Sequence, residues 1–238
     1  MSLRDRKILT FDVVGTLIDF EAGILGYIQP IARKAGRKVD DEAILLSYAT
    51  AEDAQHSAMP GAPFVAMLPA IYRIMADDLG LPATEGDIQG LRLSIPEWPA
   101  FPDSIMSMKQ LRKHFRLVAM TNSDNWALGH FSRTLDDPFD DTVTAEDVGT
   151  CKPEPQFFAY ARGRQSIHGF RLEDYLHVAQ SQYHDIGVAK ELGYATCWIE
   201  RRQSKKGFGG TPAPVVVTKP DYRFSSLAEL LTAVEGGK

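Results

Sequence analysis

The chain has 238 residues, 44% of them hydrophobic and 24% charged, long enough for one large core or for a core with a smaller inserted unit. A formal net charge of −5 argues against a nucleic-acid partner, which needs a basic face, and no apolar stretch nears the ~18 residues of a membrane span. Cys151 and Cys197 lie far apart and form neither a disulfide framework nor a metal-ligand spacing; the segment Met1-Ser2-Leu3-Arg4-Asp5-Arg6 lacks the apolar run of a signal peptide, so a reducing cytoplasm is the expected location.

The first predicted element is a buried strand, Ile8-Leu9-Thr10-Phe11, which ends in Asp12 and continues as Val13-Val14-Gly15-Thr16-Leu17. Buried parallel strands are almost wholly apolar, so an acid at the carboxyl end of one points to chemistry. Val14, two residues beyond Asp12, offers no second acid. The pattern then turns helical. Segments 24–35, 42–55, 64–78 and 86–93 carry apolar residues at helical spacing. Asp40-Asp41, Pro60-Gly61-Ala62-Pro63 and Gly80-Leu81-Pro82 separate them. This predicts an all-helical insert at 19–96, with 1–18 and 97–238 as the core.

Strand-like runs recur at 117–120, more weakly at 142–144, and again at 176–179 and 195–199. Helical segments fall at 126–135, 155–164, 186–192 (closed by Gly193) and 227–234 (capped by Ser225-Ser226). Alternating strands and helices predict an α/β fold, a doubly wound, Rossmann-like parallel sheet. An insert after the first strand is placed as a lid over the strand ends, where ligands bind in such folds. The basic run Arg201-Arg202 through Lys205-Lys206 reads as a solvated loop, and 207–214 as a mobile loop with no assigned role.

Four polar clusters fall at the carboxyl ends of predicted strands or just beyond: Asp12 with Thr16; Thr121-Asn122; Lys152; and Gln180-Ser181-Gln182-Tyr183-His184-Asp185. Taken singly, each has an ordinary reading as a turn residue, a surface lysine or a helix cap. Their order, each tied to a strand end, predicts one shared site.

This combination resembles the haloacid dehalogenase-like hydrolase superfamily over essentially the whole chain. Asp12-Val13-Val14-Gly15-Thr16-Leu17 looks like its first motif, Thr121-Asn122 its second, Lys152-Pro153 its third and the Gln180 to Asp185 stretch its fourth. Within it, the nearest likeness is to the hydrolytic, ester-forming 2-haloacid dehalogenases, whose Thr196-Cys197-Trp198-Ile199-Glu200-Arg201-Arg202 counterpart is also similar. The resemblance implies a helical cap at 19–96 and a small anionic substrate, with neither nucleic acid nor membrane as partner. The apolar helices of the insert leave a homodimer open.

The resemblance also implies roles. Asp12 displaces halide from the carbon beside the substrate carboxylate and forms an ester, which water then cleaves. Lys152 keeps Asp12 ionised, and Asp185 orients or deprotonates the water. Thr16, Thr121 and Asn122 bind the substrate carboxylate or ester oxygen; Gln180 and Gln182 complete the binding set and support Asp185 and Lys152 by hydrogen bonds. No cofactor is expected. Phosphatases of the superfamily use a second aspartate as acid and hold magnesium, whereas Val14 and Gln180 stand at those positions here. The alternatives are therefore a phosphatase with an altered magnesium site and a catalytically silent binding member. The chain departs from the dehalogenases too: Val14 replaces a usual tyrosine, and Phe158 stands near where another is expected. Tyr48-Ala49-Thr50-Ala51-Glu52 lacks their cap arginine, leaving His56, Arg73, His184 and Arg201 as candidate substitute cations.

Overall fold

The computed structural model describes residues 2–236. Strand β1 (Ile8–Phe11) leads into four helices before the chain returns to the sheet: α1 (Phe20–Lys34), α2 (Asp41–Ala58), α3 (Phe64–Leu79) and α4 (Glu85–Leu93). Their starts follow local chemistry. Asp19 caps α1 through Ala22 N, Asp40 caps α2 through Ala43 N, and Thr84 forms a capping box with Asp87 on α4. Gly80, in the left-handed region, closes α3.

The rest alternates as α5 (Ser104–Leu111), β2 (Arg116–Thr121), α6 (Asn125–Thr134), β3 (Asp141–Thr144), α7 (Ala145–Val148), α8 (Pro155–Ser166), β4 (Tyr175–Ala179), α9 (Gly187–Glu191), β5 (Ala195–Ile199), β6 (Tyr222–Phe224) and α10 (Leu227–Gly236). The strands pair in parallel in the order β3-β2-β1-β4-β5-β6. This is the doubly wound α/β sheet. Side-chain alternation splits the core between its faces. Leu9, Phe11, Leu117 and Val178 share one apolar cluster with the insert helices, α6 and α10. Ile8, Val118, Met120 and Tyr175 face α8 and α9 in the other.

Three elements lie outside the sequence expectation. The buried face of α5 carries Ser104 and Ser107 beside Met108 and Leu111, which blunts its apolar stripe; Ser104 Oγ donates to Leu17 O at 2.8 Å. Helix α7 is a single turn, and β6 is a three-residue edge strand without buried positions. Two loop expectations are corrected. Arg202 is buried and Arg201 half-buried rather than solvated, because Arg201 pairs with Asp103 at 2.8 Å and Arg202 with Glu21 and Glu42 at 2.5 and 2.6 Å. The 207–214 loop has a docking role: Gly210 N donates to Glu21 Oε1 at 2.9 Å, and Thr211 is buried. Among the described residues no helix is long and apolar enough to cross a membrane.

Candidate active site

The sheet positions the site through its register. Phe11 lies opposite Ala119 on β2 and Val178 on β4, so Asp12, Thr121 and Gln180 emerge side by side. They do so around β1, where the strand order reverses and a crevice opens. Lys152 reaches this crevice from the loop before α8, and Asp185 returns to it from a wide helical turn over Gln182–Ile186.

The Lys152 ammonium has three protons and three acceptors. It donates to Asp12 Oδ1 at 2.9 Å, Asp185 Oδ1 at 2.7 Å and Met120 O at 2.7 Å, with the side chain 1% exposed. All of its donor capacity is thus taken by the protein. Burial opposes its charge, but the two carboxylates prevail and raise its pKa, so it stays protonated. The backbone of Lys152 is fixed as well: Asn122 Nδ2 donates to Lys152 O at 2.9 Å, and Lys152 N donates to Asn122 Oδ1 at 2.7 Å.

Asp185 is fully buried. Its Oδ1 also accepts from His177 Nε2 at 2.9 Å, while His177 Nδ1 accepts from the Thr10 hydroxyl at 2.9 Å. The carboxylate can only accept, which assigns the Nε2–H tautomer. Burial works against its ionisation, yet Lys152 and His177 outweigh it and hold its pKa at about 2. Its Oδ2 is buried without a partner. The Asp12 carboxyl is pushed up by burial, against the pull of Lys152 and Thr16. Thr16 Oγ1 donates to Asp12 Oδ2 at 2.6 Å and accepts from Gln180 N at 2.8 Å. Gly15, at φ +90°, makes the turn between them, and a Cβ there would lie 3.2 Å from Gln180 Oε1 and from the Phe20 ring. Arg201 holds the Thr16 carbonyl with Nε at 3.0 Å and Nη2 at 2.9 Å.

A cavity opens over Asp12. Val14, Thr121, Asn122, Lys152 and Gln180 line it on the sheet side; Tyr48, Glu52 and Phe64 line it from the insert. Of the eight residues expected at the site, Asp12, Lys152, Thr121, Asn122 and Gln180 reach this cavity, whereas Thr16, Asp185 and Gln182 do not. Thr16 and Asp185 stand behind Asp12 and Lys152. Gln182 is directed elsewhere, its amide pairing with the Thr218 backbone at 2.9 and 3.3 Å.

None of the four candidate cations supplies a free charge. Arg201 is paired with Asp103, and the exposed Arg73 lies 3.7 Å from Glu85. Burial lowers the His56 pKa and pushes that of His184 down to about 3. In their place the insert presents Glu52, whose pKa is raised to about 8 by burial and by Asp53. Sequence reasoning passed over His177, Glu52, Phe64 and Thr211 as site residues. A histidine within the apolar strand Tyr175–Ala179 was the available signal for the first.

A family model described as haloacid dehalogenase-like hydrolase matches residues 6–193. The chain belongs to this family. It is 33% identical over 100 residues to a glyceraldehyde 3-phosphate phosphatase of Methanocaldococcus jannaschii, covering 42% of this chain and 40% of that protein. It is 30% identical over 112 residues to an (S)-2-haloacid dehalogenase of Pseudomonas putida, covering 47% of this chain and 40% of that one. The matched segments thus span well under two thirds of either relative. The structure of L-2-haloacid dehalogenase from Xanthobacter autotrophicus superposes with a TM-score of 0.76 over 98% of this chain and 100% of that one; at 16% identity this is a likeness of fold.

The magnesium used by phosphatases of the family meets an unsuitable donor set here. Val14 presents methyl groups and Gln180 an amide whose Oε1 already accepts from Thr211 at 3.3 Å. The free oxygen of Asp185 belongs to a residue that does not reach the cavity. Among the described residues no group of three or more His, Cys, Asp or Glu is arranged to hold a metal ion. A hard, octahedral cation needs more oxygen ligands than this, so the residues present do not fit it.

Proposed function

We propose that this protein is a hydrolase that displaces halide from a short 2-halocarboxylate through an ester on Asp12, with the 19–96 insert as its cap. The observation that carries the reading is Asp12 itself, which lines the cavity with Oδ1 bonded to the Lys152 ammonium. Asp12 and Asp185 against Lys152 leave one net negative charge, which a monocarboxylate tolerates better than a phosphate dianion. Halide is a weak base and leaves without needing a proton. Water then attacks the ester carbonyl of Asp12; Lys152 holds one Asp12 oxygen and Thr16 the other, so whichever oxygen stays unesterified has a donor where its oxyanion develops. The low pKa of Asp185 and its place outside the cavity suit an anchor for Lys152 better than the base expected from sequence.

A second reading, hydrolysis of a phosphate monoester, is favoured by the likeness to the Methanocaldococcus jannaschii phosphatase. One experiment separates them: release of halide from chloro-, bromo- and fluoroacetate and 2-chloropropionate, and of phosphate from a monoester panel, with chelator or with magnesium. The proposal expects halide release that persists in chelator. Phosphate release that requires magnesium, with no halide from any substrate, sinks it.

A further inference from the structure

The insert side of the cavity carries two groups that the scheme above leaves without work. Tyr48 and Glu52 lie one turn apart on α2 and both line the cavity. Among the described residues neither the Tyr48 hydroxyl nor the Glu52 carboxyl has a hydrogen-bond partner. The ionic contact of Glu52, with His56 Nε2 at 3.9 Å, is too long for one. Glu52 is 8% exposed, and a largely buried carboxyl without partners favours its protonated form. Displacement at carbon sends the leaving atom away from the attacking oxygen, and Asp12 attacks from the sheet side.

We propose that Glu52 donates a hydrogen bond from its neutral carboxylic acid to the atom that Asp12 displaces. The inference rests on displacement at carbon as proposed above. An Asp12 oxygen forms the new bond to carbon as the carbon–halogen bond breaks, and halide departs with the bonding pair. Halide is a weaker base than a carboxylate, so the proton stays on Glu52 and the donor is returned unchanged. Fluoride, the strongest hydrogen-bond acceptor among the halides, gains most. A preorganised donor of this kind acts where charge develops.

The donor is lost when Glu52 ionises, near its pKa of about 8. The Glu52→Gln variant separates its titration from that of the groups around it. Tyr48 and Tyr183 are raised above the ordinary tyrosine range, Cys151 is raised to about 12, Lys152 is raised, His56 is lowered and His184 is held at about 3. Asp12, although raised by burial, lies across from a permanent cation, and Asp53 is the acid whose charge adds to the shift of Glu52.

The test reads anion binding rather than turnover. Chloride affinity is measured by ³⁵Cl NMR line broadening at about pH 6 and about pH 9.5, as the excess over the Glu52→Ala variant, with circular dichroism to check folding. The expected result is saturable binding at the lower pH that weakens about tenfold or more at the higher one, because an acid with this pKa is then largely ionised. Glu52→Gln, which keeps an N–H donor, binds at both. Absence of binding at pH 6, equal affinity at the two pH values, or a Glu52→Gln variant that keeps the pH dependence overturns the proposal. Because no reaction is monitored, these outcomes are separate from whether Asp12 forms an ester.

Discussion

The two sides of the cavity are built on opposite principles. On the sheet side nearly every polar atom is satisfied within the protein: Lys152 makes three hydrogen bonds, Thr16 bridges Asp12 and Gln180, and Asn122 clamps the Lys152 backbone. On the insert side Tyr48 and Glu52 are left open to the cavity, with the unpartnered His56 Nε2 behind them. A saturated network fixes geometry and is costly to break. An unsaturated wall waits for a ligand to complete it. The first side suits a reacting group that must not move, and the second suits recognition of whatever departs.

Substitutions break this contrast in order of expected effect. Asp12→Asn removes the attacking oxygen, and turnover falls by about 10⁴-fold; halide release within tenfold of the native rate contradicts its role. Lys152→Met leaves two buried carboxylates facing each other without a cation and costs about 3–5 kcal/mol, read from the denaturant midpoint near neutral pH. The folded pKa of Asp185, about 2, lies below its unfolded value. Its contribution is therefore present above the unfolded pKa and lost as pH falls through about 2. That acid-side loss of stability shrinks in the lysine variant; an unchanged acid limb breaks the assignment.

His177→Ala removes one hydrogen bond from Asp185 and costs about 1–3 kcal/mol. As a positioning residue, it lowers kcat more than it raises KM. A change in KM alone places His177 in substrate binding instead. Glu52→Gln differs from the others in sign, because its effect on stability is a gain. The folded pKa of Glu52, about 8, lies above its unfolded value, so the native protein loses stability as pH rises between the two. Glu52→Gln removes that loss, and the variant gains on the native protein from about pH 5 to pH 8 in thermal melts. Parallel curves show that the carboxyl is not held neutral.

The frame of the site was legible because its chemistry sits at strand ends. Asp12 and Gln180 interrupt apolar runs, and the parallel sheet brings such interruptions together. The four helices after β1 were legible from helical spacing and its breakers. Roles were harder. Thr16, Asn122 and Gln182 carry the right atoms for substrate, but their side chains bond protein partners that sequence distance hides, such as Thr218 for Gln182. His177 reads as a core residue until its neighbours Thr10 and Asp185 are placed. Glu52 continues the buried stripe of Ile44, Tyr48 and Ala51 on α2. That periodicity marked the position as buried but not its carboxyl as facing a cavity. Thr211 reaches the cavity only because Glu21 anchors the loop through Gly210.

In the proposed reaction the Asp12 carboxylate attacks substrate and is restored by water. A single turnover in H₂¹⁸O, followed by mass spectrometry of the peptide containing Asp12, tests it directly. The expected result is heavy oxygen in the Asp12 side chain. Label found solely in the released product, with Asp12 unlabelled, contradicts it.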